Sequence, residues 1–156
     1  MTDENPASLP AFDAESWLAK DRAYAALNQS IRPVNKAALF DALATVGIAT
    51  VVVTFDGYGD SGQVENIEVQ GEVTDLPAAA IEFGSVSWDS AEISRHQLGV
   101  REAVEALVYD LLRQTHCGWE NNAGAYGEFT FNVADRTITL DYNERYESSE
   151  YTQHVF

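Results

Sequence analysis

Residues 128–143, with the sequence EFTFNVADRTITLDYN, contain the clearest strand pattern in the chain. Apolar and polar side chains alternate in two runs, and the apolar members are Phe129, Phe131, Val133, Ile138, Leu140 and Tyr142. Such alternation is typical of half-buried strands. A two-residue turn at Asp135-Arg136 would pair Phe131 with Leu140 and place every apolar residue on one face. The stretch therefore predicts a β-hairpin with one buried face and one polar, wet face.

A second hairpin is predicted upstream. Residues 48–55, IATVVVTF, are rich in β-branched side chains, which indicates a strand buried on both faces or nearly so. Residues 56–62, DGYGDSG, have the composition of a glycine-rich turn, and residues 63–69 would form the returning strand. A weaker strand is expected at residues 80–88, where Gly84 lowers the strand propensity.

Two helices are predicted before the first hairpin. A cap at Asp13 or Ser16 would begin the first, which runs to about Asn28. Arg32-Pro33 is expected to end helical structure, because proline lacks the backbone N–H and its ring clashes with the preceding turn. The second helix would begin at an Asn35 cap and reach Val46, with Gly47 ending it.

A third helix has the strongest pattern. Residues 94–97, SRHQ, resemble a capping box, and a wide apolar stripe follows from Leu98 to Thr115. The elements together predict an α+β fold, an antiparallel sheet of two hairpins with four to five strands, packed on one face by about three helices. Residues 1–12 are expected to be a flexible tail, and residues 13–156 a single domain.

The composition excludes several classes of protein. The single cysteine, Cys117, cannot form an internal disulfide or a cysteine-based zinc site. The longest apolar run, residues 48–53 with Thr50 inside it, is far shorter than the roughly 20 residues of a membrane-spanning helix. The first residues lack the basic and apolar regions of a secretory signal. We therefore expect a cytoplasmic protein.

Acidic charge dominates the chain. There are 25 acidic and nine basic residues, a net charge of −16, and residues 56–156 carry −14 of it. Such a field repels nucleic-acid phosphates and anionic lipids and attracts cationic protein surfaces. Direct nucleic-acid binding and membrane binding are therefore not expected.

Two glycine- and acid-rich loops could carry chemistry, at residues 56–62 and 116–128. If they converge, Asp56, Asp60, His116 and Glu120 offer oxygen and imidazole ligands for a divalent cation. The alternative is structural, with the aspartates forming turn hydrogen bonds. Neither interpretation assigns a cofactor or a catalytic residue.

Three segments of the chain resemble an uncharacterised family of bacterial domains found on plasmids, prophages and other mobile elements. They are TFDGYGDSGQ at residues 54–63, GWENNAGAYGEF at residues 118–129 and TITLDYNER at residues 137–145. The resemblance covers about residues 37–156 and implies a genomic context, without an activity that could be transferred.

The favoured hypothesis is a non-catalytic acidic binding protein that acts as a nucleic-acid mimic. It would occupy the basic channel of a host protein, such as a CRISPR effector or another nuclease, and inhibit it as anti-CRISPR proteins do. Its candidate partner-binding residues are Asp56, Asp60, Trp119, Glu120, Tyr126, Glu128, Asp141, Glu144 and Glu147. Trp119 and Tyr126 also suit a role as loop anchors packed on the core.

Two other hypotheses remain open. The first is a small metal-dependent enzyme that uses Asp56, Asp60, His116 and Glu120. The second is a general acidic interaction module, in which the charge serves solubility.

Overall fold

The computed structural model describes residues 13–58, 61–88, 92–121 and 123–156, and the predicted tail at 1–12 lies outside them. Within these residues, two helices and six strands follow one another as α1 (Ala14–Thr45), β1 (Ile48–Tyr58), β2 (Ser61–Gly71), β3 (Ala80–Val86), β4 (Ile93–Gly99), α2 (Val100–Thr115), β5 (Ala125–Asn132) and β6 (Thr137–Glu144). The architecture is α+β, as predicted, with two helices in place of about three.

The main sheet is antiparallel and has the strand order β2-β1-β5-β6. Both predicted hairpins are present, and β1 joins them by pairing with β2 on one side and β5 on the other. Strands β3 and β4 form a separate two-stranded sheet. The predicted register of the last hairpin is wrong by two residues, because Phe131 pairs with Ile138 and the turn spans residues 133–136. A shift of two keeps every side chain on its predicted face.

Helix α1 continues through Pro33, so the predicted break at Arg32-Pro33 is wrong. The predicted cap at Asp13 is confirmed, since its carboxylate accepts from the backbone N–H groups of Glu15 and Ser16 at 3.1 and 3.2 Å. Asn35 is not a cap but a buried residue inside the helix. Tertiary packing of the second half of α1, where Leu39 is fully buried, outweighs the local cost of the proline.

Asn35 docks α1 onto β3 through both ends of its side-chain amide. Its Nδ2 donates to the Gly84 carbonyl at 2.9 Å, and the Gly84 N–H donates to its Oδ1 at 2.8 Å. The amide therefore pairs with Gly84 as a neighbouring strand would, and it satisfies two buried backbone groups.

Strand β4 was not predicted, and the expected capping box at 94–97 lies inside it. Helix α2 begins only at Val100, with Gly99 as an N-cap that has no side-chain hydrogen bond. The polar residues of β4 lack strand periodicity, and their backbone pairing with β3 fixes the strand. The predicted end of α2 is confirmed, since His116 caps it and Gly118 follows with a φ of +81°.

Both helices pack on one face of the main sheet and enclose the core. The largest fully buried side chains include Leu39 and Phe40 of α1, Leu107 of α2, Phe55 of β1 and Phe131 of β5. Strand β1 buries alternate residues completely and leaves the intervening ones partly exposed, so only one of its faces lies in the core, contrary to prediction. Among the described residues, neither helix has the length and apolarity that crossing a bilayer requires.

Candidate functional site

The two acid-rich loops meet at one end of the main sheet. Trp119 lies over Gly57 and Gly62, which pair across β1 and β2, and a side chain at either glycine would overlap its indole. The indole also contacts the Phe55 ring edge-to-face, with 5.4 Å between centroids. The two loops therefore meet at Trp119, which packs on the core.

Arg145, which the sequence analysis did not single out, holds this end of the sheet together. Its guanidinium binds the two carboxylate oxygens of Asp56 at 3.0 and 3.2 Å and donates to the Gly57 carbonyl at 3.1 Å. It also lies 4.6 Å from the centroid of the Tyr126 ring. The sequence offers one signal for it, because Arg145 is the only lysine or arginine after Arg136 in an acidic stretch.

The outer sheet face, opposite the helices, is polar. We define it as alternate residues of the four strands, from Thr50 to Asp56, Asn66 to Gln70, Tyr126 to Asn132 and Thr137 to Asn143. Those on the outermost strands β2 and β6 are exposed, whereas those on β1 are partly buried by their neighbours.

Asp56 on this face is paired with Arg145, which follows β6, but the other carboxylates of the face have no lysine or arginine beside them within the strands. None of the four strands of the main sheet contains a basic residue. Glu128 stands directly opposite Asp141, with Glu68 two strands away. Two like charges in a directly opposed pair are destabilising. The two helices together carry six bases and six acids, so their net charge is zero, whereas the strands of the main sheet carry acids alone.

A cleft of about 740 Å³ opens at the same end of the sheet, beside the residues that follow β6. His116 and Tyr142 form its stacked wall, with ring centroids 3.6 Å apart and planes inclined by 5°. Its remaining lining residues are Cys117, Gly118, Trp119, Asn121, Ala123, Gly124, Glu144, Arg145, Tyr146 and Glu147.

The pKa of Tyr142 reflects its burial and the negative charge around the cleft. Partial burial raises the pKa of its phenol above the ordinary value of 10.0, and the carboxylates of Glu144 and Glu120 raise it further. The phenol is therefore protonated over a wider pH range than a free tyrosine, and like any tyrosine it can donate a hydrogen bond at neutral pH.

The structure divides the candidate partner-binding residues into two groups. Asp56, Tyr126, Glu128 and Asp141 belong to the outer sheet face. Trp119, Glu144 and Glu147 line the cleft, and Glu120 lies close to it. Asp60 lies outside the described residues. Alternation along the last hairpin predicts Glu128 and Asp141 on its wet face, and Glu144 and Glu147 were expected to extend that face; Glu144 instead pairs with the buried Ala125 and points to the helix side.

Of the four candidate metal ligands, Asp60 lies outside the described residues, and the other three, Asp56, His116 and Glu120, do not form a metal-binding group. Within residues 13–58, 61–88, 92–121 and 123–156, no three histidine, cysteine, aspartate or glutamate side chains are placed to share a metal ion. Asp56 uses both carboxylate oxygens on Arg145, and His116 stacks on Tyr142.

Comparison with known families matches residues 31–156 to a model described as "Family of unknown function (DUF6878)". No curated protein and no solved structure shows significant similarity to the chain.

Proposed function

The chain belongs to that family of unknown function, and we propose that it is a non-catalytic binding protein whose outer sheet face contacts a basic protein surface. The observation that carries the proposal is the charge of this face, where Glu68, Glu128 and Asp141 are accompanied by no lysine or arginine from any of the four strands. A cationic partner would relieve the repulsion between the opposed Glu128 and Asp141. Relief of this repulsion would then make a favourable contribution to the free energy of binding.

In its finer form, the proposal identifies the partner as a host nucleic-acid-binding protein. The channel of a CRISPR effector or another nuclease is rich in cations because it binds phosphates, and an acidic sheet face can compete for those cations. The protein would then act as an inhibitor carried by a mobile element. Charge supports this form, together with the resemblance of residues 54–63 and 118–129 to mobile-element domains.

The competing metal-dependent enzyme receives less support from the geometry. It requires the carboxylate of Asp56 as a ligand, and that group already forms a two-point ion pair with Arg145.

The test uses affinity capture from the native host with three immobilised forms of the chain. The first is the wild type, the second replaces the face carboxylates (Glu68→Gln, Glu128→Gln, Asp141→Asn), and the third replaces three exposed acids elsewhere (Glu15→Gln, Glu92→Gln, Glu150→Gln). The second and third forms have the same net charge, so they separate the position of the charge from its amount.

We expect a nucleic-acid-binding protein to be retained by the wild type and the third form and lost from the second. Raising the salt concentration should release it steeply, because each screened carboxylate weakens the contact. Equal retention by the second and third forms, or capture of neutral and acidic partners alone, would favour a general interaction module and contradict the proposal. Inhibition of the captured protein's nucleic-acid binding tests the finer form.

A further inference from the structure

The cleft beside β6 offers a chemically distinct site from the outer sheet face. Its volume of about 740 Å³ lies within the range of roughly 300–1,000 Å³ that is usual for ligand sites. Aromatic rings and carboxylates line the cleft together, and both kinds of group bind cations. We propose that the cleft binds the guanidinium of an arginine side chain from the basic partner, an inference that rests on the proposed function.

Negative charge in the cleft is not neutralised by its own arginine. Glu144 and Glu147 line the cleft, and neither forms an ion pair with any residue that the structure describes. The guanidinium of Arg145 is directed instead to Asp56 and to the carbonyls of Gly57 and Ala125. An entering cation therefore meets two carboxylates whose attraction is not cancelled within the site.

The electrostatic environment of Tyr142 supports this account independently of any ligand. Besides burial, the carboxylates of Glu144 and Glu120 raise the pKa of its phenol, which means that they disfavour a further negative charge at this place. The same field favours a positive charge.

The aromatic lining selects a planar cation. Tyr142 and His116 form a flat stacked pair, and Trp119 lies beside them. Tyr146, which also lines the cleft, is 86% exposed, so its ring has free surface for a ligand to cover. A guanidinium can stack on such rings and can bind two carboxylates through its fork of N–H donors. An ammonium, which is a compact and strongly hydrated charge, can do only part of this.

The experiment compares three blocked tripeptides that differ in their central residue, which is arginine, citrulline or lysine. Citrulline keeps the planar shape of arginine and removes its charge, whereas lysine keeps the charge and removes the plane. Binding is followed through the NMR resonances of the Trp119 indole and the Tyr142 ring. A second readout is the alkylation rate of Cys117, the only cysteine, which lines the cleft and is exposed.

We expect the arginine peptide to bind with a Kd on the order of 1 mM, a value suited to one anchor in a larger interface. The citrulline peptide should bind at least about fivefold more weakly, and lysine should lie between the two. Occupancy by the arginine peptide should slow the alkylation of Cys117. Free arginine amide, as a fourth ligand, should bind no more tightly than the peptide; tighter binding would indicate a small-molecule site and overturn the assignment to a partner protein.

Two charge variants localise the effect. Glu144→Gln combined with Glu147→Gln should weaken arginine-peptide binding about five- to tenfold, and both residues are exposed, so the fold is retained. Glu128→Gln combined with Asp141→Asn should leave it unchanged. Equal binding of the arginine and citrulline peptides, or equal effects of the two variants, would overturn the inference.

The two proposals fail separately. If partner capture depends on the outer sheet face while the cleft shows no preference for arginine, the proposed function stands and this inference is wrong. If the cleft binds arginine while capture ignores the face carboxylates, the site is real and the proposed function is wrong.

Discussion

Arg145 binds Asp56 through both of its terminal nitrogens, at 3.0 and 3.2 Å, although the two residues lie 89 positions apart in the chain. The same guanidinium donates to the Gly57 carbonyl and covers the Tyr126 ring. One residue at the end of β6 thereby ties together the tip of the first hairpin and the start of β5. The outer sheet face and the cleft both end at this residue.

Replacement of Arg145 by lysine should destabilise the protein by about 1–2 kcal/mol, because lysine keeps the charge but cannot reproduce the two-point ion pair and its carbonyl contact. Urea unfolding measures the change. Arg95→Lys is the control, since Arg95 makes one 3.4 Å contact with Glu82 and both side chains are more than half exposed. We expect a loss below about 0.5 kcal/mol there, and equal losses would show that Arg145 has no special structural role.

Replacement of Asn35 by alanine should cost about 2–3 kcal/mol. The substitution leaves the buried N–H and carbonyl of Gly84 without partners, and each unsatisfied group carries a desolvation penalty. The matched control is Asn28→Ala on the same helix, where the side-chain amide donates only to the Tyr24 carbonyl one turn earlier. A free energy of unfolding that changes equally in the two variants would contradict the docking role of Asn35.

Gly124 and Gly118 have nearly the same φ, +82° and +81°, and different surroundings. A Cβ at Gly124 would overlap the Gly57 carbonyl, whereas a Cβ at Gly118 would meet the movable amide of Asn121. Gly118→Ala should therefore destabilise the protein by about 1 kcal/mol, because alanine is strained in the left-handed conformation. Gly124→Ala adds the overlap with Gly57 and should destabilise it by about 3 kcal/mol or more. Thermal unfolding of both variants checks the difference, and similar melting temperatures would refute the close approach.

Replacement of Gly99 by serine should stabilise the protein by about 0.5–1 kcal/mol. Gly99 is the N-cap of α2 in an extended conformation that any residue can adopt, and Glu102 occupies the third helical position. A serine would complete a capping box with Glu102 and reduce the freedom of the unfolded chain. Gly99→Ala lacks the capping oxygen and should gain less. If alanine and serine stabilise equally, capping is not the cause.

The pKa of Tyr142 should fall toward its ordinary value in Glu144→Gln, because one of the carboxylates that raise it is removed. Site-resolved NMR titration of the ring measures this, with Glu68→Gln as a control that should leave it unchanged. Because the pKa is raised in the folded state, the protonated phenol contributes stability that is complete below the ordinary value of 10.0 and is lost as the pH rises through the folded-state value. The free energy of unfolding should decline over that alkaline range, and a flat profile would contradict the shift.

Local periodicity was sufficient to predict β1, β2, β5, β6 and the body of α2. Alternation in residues 128–143 depends on which side chains face the core, and a pattern of this kind repeats every two residues along the strand. For the same reason the predicted faces of the last hairpin are right although the pairing is off by two, since the loop at residues 133–136, where Arg136 has a φ of +56°, sets the register.

Local rules failed where a distant partner decides the structure. The proline rule predicted a break at Pro33, but Asn35 and Leu39 are buried against other elements and keep α1 continuous. The polar sequence of β4 gives no periodic signal, and pairing with β3 makes it a strand. The energy in both cases comes from contacts between elements far apart in the chain, which no local window contains.

By itself the sequence determined the acidic charge, the α+β class and the existence of a polar sheet face, because composition and side-chain alternation are properties of the chain alone. Only the tertiary structure decided how the charges are grouped. It joined Asp56 to Arg145, placed Glu128 opposite Asp141 on the outer sheet face, and turned Glu144 into the cleft. Strand order and register bring these groups together, and both are fixed by the burial of the core rather than by the charged residues themselves.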